Sequence, residues 1–237
     1  TDRLLPWQGR LVDFDYCIDL TYVPSLRSIE MEGSSLRIGA MATLDDLDLK
    51  SNLNSALAAL GETARLMNTK QTRTIATVGG NLCHASPSAE LTPPLIAMGT
   101  QVKLQGPEGE RVIPLGDFHI GVNETALADN EIVIEFIVPH VSEQLAASYN
   151  RIARTVVDIA LVSSAVCLRI DDTRTIQDAG VVLGAVGPTA IRAPDAENVL
   201  IGVTLEDLAN GIAQKAGAQA SLAATAISDI RASQGCR

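Results

Sequence analysis

The longest nearly apolar stretch of this 237-residue chain, Ile159 to Leu168, spans ten residues and is interrupted by Ser163 and Ser164. A membrane-crossing helix needs roughly 18 or more consecutive apolar residues, so no membrane span is expected. Apolar runs of strand length, each closed by turn residues, call instead for short elements of both kinds packed in layers. The core of such a fold must be aliphatic. Hydrophobic residues make up 46% of the chain, yet it has only three Phe, three Tyr and one Trp. That content, with 19% charged residues, excludes a disordered chain. Acidic residues outnumber basic ones 28 to 18, for a formal charge of −10. A surface of that sign offers no footprint to nucleic acid or to an anionic membrane.

Ser28 to Gly39 predicts a hairpin turning at Glu32-Gly33-Ser34-Ser35. Thr43, followed by Asp45 and Asp46, predicts a helix start with acidic residues at the positive end of the dipole. Leu53, Leu57, Leu60, Ala64 and Met67 recur at spacings of four and three, which predicts an amphipathic helix with its stripe in the core. The stretch Arg73 to Leu82 runs β-branched residues straight into Gly79-Gly80 and predicts a strand that ends in a tight loop. A short helix from Glu90 to Met98 follows Pro87. Strands are expected at Val102 to Gln105, Arg111 to Ile113 and Ile132 to Val138, with Gly106-Pro107-Glu108-Gly109 turning between the first two. Pro139 and the polar Ser142 to Gln144 divide the chain into residues 1–140 and 141–237. In the second part, strands from Ile159 to Ile170 and Ile176 to Val186 flank the turn at Asp171-Asp172. Pro188 and Pro194 precede two helices, the second Ala-rich and starting near Thr204. The expected fold class is α+β, in two parts.

Cys17, Cys83, Cys167 and Cys236 form no CxxC pair, and His84, His119 and His140 have no metal-ligand spacing. No metal site is expected, and free thiols fit a reducing cytoplasm. Cys83 and His84, as neighbours on an extended segment, would point to opposite faces and form no thiolate–imidazole pair. The glycine patterns of Rossmann and P-loop domains are absent, as is the hydrolase elbow GxSxG. What remains is Thr77-Val78-Gly79-Gly80-Asn81. Two glycines expose consecutive backbone N–H groups without Cβ hindrance, as cradling a pyrophosphate requires, and Thr77 and Asn81 add polar side chains beside them. A plain strand-to-loop turn accounts for the same letters.

The run Thr74 to Glu90, TIATVGGNLCHASPSAE, resembles the second flavin motif of the FAD-binding medium subunits of molybdenum hydroxylases, the xanthine dehydrogenase and carbon monoxide dehydrogenase family. The resemblance covers nearly the whole chain. Gly39-Ala40 with the helix after Thr43 matches the family's IGA…T…L segment. Asp158 to Val162 is similar to the DLA-x-V opening of its C-terminal domain, Gly184 to Thr189 to its G-x-x-x-P-T run, and Ile227 to Ser233 to its S-D-x-R-(A/G)-S close. The fold so implied is a two-part FAD-binding domain followed by a smaller α+β C-terminal domain.

The resemblance implies site residues. Thr77, Val78, Gly79, Gly80 and Asn81 would line the pyrophosphate and ribityl part of FAD. Glu90 stands where relatives carry Asp, and Val133 where an aliphatic residue borders the flavin ring through its backbone. Arg151 takes the place of a Lys near the flavin, with Asn150 as the alternative register. Thr1 and Asp2 match the end of the family's first flavin motif, A-G-G-T-D-L-L-P; Arg3 is inserted and the Ala-Gly-Gly is absent, so the sequence is expected to lack its true N-terminus. By the same resemblance the chain would be a cytoplasmic electron-transfer subunit with FAD, and no side chain of its own need be an acid or base. An iron–sulfur subunit with [2Fe–2S] clusters and a molybdopterin-binding large subunit would be its partners, in a dimer of heterotrimers. NAD+, quinone or O2 would be the acceptor. The rival readings are a flavin-free scaffold subunit of the same kind of complex and a flavoprotein oxidase acting alone.

Overall fold

The computed structural model describes residues 15–50, 55–226, 228 and 233–236. Two antiparallel sheets carry the chain. The first runs in the order β1 (Ile29–Glu32), β2 (Ser35–Gly39), β7 (Ile132–Val138), β3 (Gln101–Gly106) and β4 (Gly109–Pro114). The second runs β11 (Ile191–Arg192), β10 (Ile176–Gly184), β9 (Val162–Ile170) and β8 (Leu145–Ile152). A small hairpin, β5 (His119–Gly121) with β6 (Glu124–Thr125), stands apart. Helices α1 (Leu44–Lys50), α2 (Ser55–Leu66), α3 (Lys70–Arg73), α4 (Val78–Cys83), α5 (Thr92–Ala97) and α6 (Leu115–Phe118) accompany the first sheet in sequence. After the second sheet come α7 (Pro194–Leu200), α8 (Leu205–Asp207) and α9 (Ala213–Leu222).

The core is aliphatic, as the composition requires. Leu36, Ile38, Leu60, Leu95, Leu104 and Phe136 are fully buried in one cluster, which reaches Leu145 and Cys167 of the second sheet. A second cluster, Ile176, Val181, Leu183, Ala196, Leu200, Ala216 and Ala220, fills the space between that sheet and α7 and α9. The second sheet is therefore covered on both faces, by α5 on one side and by α7 on the other. Among the described residues no helix is long and apolar enough to cross a membrane, and no group of three or more His, Cys, Asp or Glu could hold a metal ion.

The hairpin at Ser28 to Gly39, the helix start at Thr43 and the three strands of the first sheet form as expected. Asp46 N donates to Thr43 Oγ1 at 3.0 Å while Thr43 N donates to an Asp46 carboxylate oxygen at 3.0 Å, a reciprocal cap. Met67, at the end of the core stripe, is buried; Leu53 lies outside the described residues.

Five expectations are corrected. The segment from Arg73 to Leu82 is no strand: α3 closes at Arg73, and Thr77 opens α4, leaving only a one-residue bridge from Thr77 to Thr43. β-Branched residues there serve a turn and a helix cap rather than a ladder. The helix expected from Glu90 is confined to Thr92–Ala97, with Pro93 and Pro94 in its first turn. The strand expected from Ile159 begins at Val162, and the strand from Ile176 stops at Gly184 because Ala185 turns left-handed at φ 63°. Strand β8, with Leu145 and Tyr149 turned inward between exposed neighbours, falls where only a boundary and loop were expected.

Candidate functional site

The glycine segment takes its shape from α4. Thr77 is extended, and its Oγ1 accepts from Gly80 N at 2.9 Å. Val78 N donates to Ala42 O at 2.9 Å, Gly79 N to Ala40 O at 2.8 Å, and Asn81 N to Thr77 O at 3.0 Å. The N–H groups of residues 78 to 81 are thus engaged within the chain, and the expectation of a row of free donors is corrected. Ala40 N in turn donates to Ile134 O at 2.9 Å. Ile134 is the extra residue of a bulge in β7, where Lys103 faces Glu135 but Leu104 faces Val133. A two-step backbone relay therefore brings the glycine segment and Val133 into one region, from Ile134 through Ala40 to Gly79.

The two glycines differ. A Cβ on Gly79 would stand 2.5 Å from Ala40 O, so only glycine lets α4 dock there. A Cβ on Gly80 would meet only Thr77 Oγ1, at 2.9 Å, and Gly80 is exposed. Next to it, Asn81 Oδ1 is buried without a donor. A buried carbonyl oxygen left unpaired is costly, so its donor is to be sought in a bound ligand. The far end of α4 is fixed by His119, whose buried ring donates from Nε2 to Leu82 O at 2.7 Å. Burial holds the pKa of His119 below the usual imidazole range, which keeps it a neutral donor.

Glu90 and Arg151, expected separately at the site, form an ion pair with side chains only 10% and 7% exposed. Arg151 Nη1 donates to Glu90 Oε1 and to Asp158 O (2.9 Å); Nη2 donates to Leu66 O (2.8 Å) and to Val156 O. Leu66 O is a terminal carbonyl of α2, and Arg73 Nη1 donates to the next two, Met67 O at 3.1 Å and Asn68 O at 3.0 Å. Two guanidinium groups therefore close the negative end of that helix. Burial pushes the Glu90 carboxyl up to about 7 in spite of the guanidinium beside it. Burial and the Glu90 charge push the Tyr149 hydroxyl above its ordinary range. Asn150 is exposed, and of the two it is Arg151 that turns inward. Thr1 and Asp2 lie outside the described residues. The acceptors at Leu66, Val156 and Asp158 leave no sign in the side-chain pattern, because they are main-chain carbonyls.

Cys83 is the last residue of α4 and His84 its C-cap, so the extended geometry expected for this pair is corrected. Burial alone pushes the Cys83 thiol up to about 11, which makes it a poor nucleophile. Cys17 is exposed. Iodoacetamide near pH 8 is expected to modify buried Cys83 far more slowly than exposed Cys17. Peptide mapping over time measures this; equal rates would show that Cys83 is accessible and ionised.

Comparison with known proteins fits this geometry. Residues 1–141 match the family described as the FAD binding domain in molybdopterin dehydrogenase, and residues 147–237 match the CO dehydrogenase flavoprotein C-terminal domain. The chain is 32% identical over 200 residues to the carbon monoxide dehydrogenase medium chain of Hydrogenophaga pseudoflava, covering 84% of this chain and 69% of that one. It is 28% identical over 229 residues to the xanthine dehydrogenase FAD-binding subunit of Escherichia coli O157:H7, covering 93% and 78%. The solved structure of the H. pseudoflava carbon monoxide dehydrogenase lacking the Mo-pyranopterin moiety superposes with a TM-score of 0.89 at 30% identity, over 99% of this chain and 80% of that one. With both of its parts matched in order, the chain belongs to the molybdopterin dehydrogenase FAD-binding family of oxidoreductase subunits, and its cofactor is FAD.

Proposed function

We propose that this chain is the electron-transfer subunit of a molybdenum hydroxylase complex, with FAD held by Thr77 to Asn81, Val133, Glu90 and Arg151, and by Thr1 and Asp2 at the start of the sequence. The observation that carries the placement is the unpartnered, buried Asn81 Oδ1 beside the exposed Gly80. It offers a hydroxyl-rich ligand an acceptor at a point where no Cβ obstructs approach. Bound FAD supplies hydride and single-electron chemistry. The chain supplies position through α4, and a buried, charge-balanced pair through Glu90 and Arg151.

Names such as medium chain and FAD-binding subunit support a division of labour among chains. An iron–sulfur subunit would deliver electrons from its [2Fe–2S] clusters, and a molybdopterin-binding large subunit would bind and oxidise the substrate. The complex would be a cytoplasmic dimer of such heterotrimers, with NAD+, quinone or O2 as acceptor. Within this chain the FAD-binding part would end near residue 140. Purification of the protein from its source is expected to yield a yellow chain accompanied by an iron–sulfur protein and a molybdopterin protein. A correctly folded, colourless chain would favour the scaffold reading, and a lone chain with full turnover would remove the need for partners.

A further inference from the structure

The link between β8 and β9, residues 153–161, has no regular structure. Its other hydrogen bonds run between residues 152 and 161: Arg154 Nε donates to Asp158 Oδ2 at 2.8 Å, Asp158 N to Thr155 O at 3.3 Å, Ile159 N to Asp158 Oδ1 at 3.0 Å, and Leu161 N to Ile152 O at 2.8 Å. Arg151 alone ties this link to other parts of the fold by hydrogen bonds, among the described residues. Its two terminal nitrogens divide their bonds between Val156 O and Asp158 O on the link, Leu66 O on α2, and Glu90 ahead of α5. A lysine has one nitrogen at the end of a flexible stem and cannot span acceptors set around a planar fork. Val156, Val157 and Ile159 are exposed and, of the link's apolar residues, the small Ala160 is buried, so apolar burial does little to hold residues 156–159 in place.

We infer that Arg151 is a positioning residue whose forked guanidinium, rather than its positive charge, fixes the 153–161 link against α2 and so shapes one wall of the flavin site. The inference rests on the proposed placement of FAD beside Glu90 and Arg151. It explains what an arginine does at a position where the family resemblance leads one to expect lysine.

The test compares Arg151→Lys with Glu90→Gln in the full, flavin-loaded protein. Hydrogen exchange of peptides covering 153–161, the FAD dissociation constant and the flavin midpoint potential are measured together. Arg151→Lys is expected to speed exchange of the link about tenfold and to weaken FAD binding by a similar factor. Its midpoint potential should stay at the wild-type value, since the charge is kept. Glu90→Gln leaves the three carbonyl bonds in place, so exchange of the link should remain as in the wild type while the potential moves. Wild-type exchange in Arg151→Lys would overturn the inference, because charge alone would then suffice. A loosened link with unchanged FAD affinity would also overturn it; the flavin site itself would still stand if Gly80→Val loses FAD.

Discussion

Arg151→Met is expected to lower stability by about 3–5 kcal/mol near pH 8, because it leaves the Glu90 carboxylate buried without a counter-charge. At roughly 2–4 °C per kcal/mol for a chain of this size, that is a loss of about 10 °C in Tm. The deficit should shrink toward about pH 5.5, and the sign follows from linkage. The Glu90 carboxyl is raised from 4.5 to about 7 in the folded protein, so its contribution is fully present below 4.5 and fades as pH rises through 7. Removing the guanidinium raises that carboxyl further and widens the window upward. At the lower pH it is neutral and needs no partner. The double variant Glu90→Gln/Arg151→Met should recover the part of the loss that comes from the buried charge, while the part from the three unpaired carbonyls at Leu66, Val156 and Asp158 persists at both pH values. Thermal unfolding of the three variants at both pH values checks this, and equal deficits at the two would rule out a buried, titrating pair.

Gly79 and Gly80 are expected to fail in different ways. Gly79→Ala places a methyl 2.5 Å from Ala40 O, which belongs to the backbone and cannot yield cheaply. A loss of at least about 2 kcal/mol is expected, with α4 displaced and FAD lost as a consequence. Gly80→Val meets only the Thr77 hydroxyl and projects from an exposed position, so the fold should persist while FAD occupancy falls severely. Unfolding curves and flavin content on the same preparations separate the two. A Gly80→Val protein with full flavin would remove residues 77–81 from the cofactor site.

The candidate segment was legible in the sequence, and its conformation was not. Thr77 to Asn81 stood out because two glycines without Cβ hindrance lie between polar side chains, and the family resemblance carried Glu90, Val133 and Arg151. The strand expected into Gly79 failed because β-branched Thr74, Ile75, Thr77 and Val78 suit a capped turn as well as a ladder, and a six-residue helix is too short to show a period. Strand β8 was hidden by its small and polar residues: Ala146, Ser148 and Asn150 face outward, and only Leu145 and Tyr149 mark the buried side. The Glu90–Arg151 pairing joins residues 61 apart, and three of the four acceptors of Arg151 are carbonyls that no side-chain pattern encodes. What the letters do encode is the fold class. Leu36 and Ile38 alternate with polar or small neighbours in β2 and leave little choice of face, while β10 is a run of buried residues, as a strand covered on both sides requires.

The relay from Ile134 through Ala40 to Gly79 also orders events during synthesis. A helix of six residues has no stability by itself, since isolated helices shorter than about 12–15 residues are marginal in water. α4 gains its seat from Ala40 and Ala42, and Ala40 is held by Ile134 on a strand that pairs with β2 across most of the first domain's length. Contacts between such distant residues form slowly, after the intervening chain has been closed into a loop. On the proposed placement of FAD at residues 77–81, a nascent chain that has not yet released residues 132–138 from the ribosome would have no place to receive the nucleotide. Cofactor loading would then be a late event, and a ribosome stalled before β7 would carry a chain that cannot turn yellow.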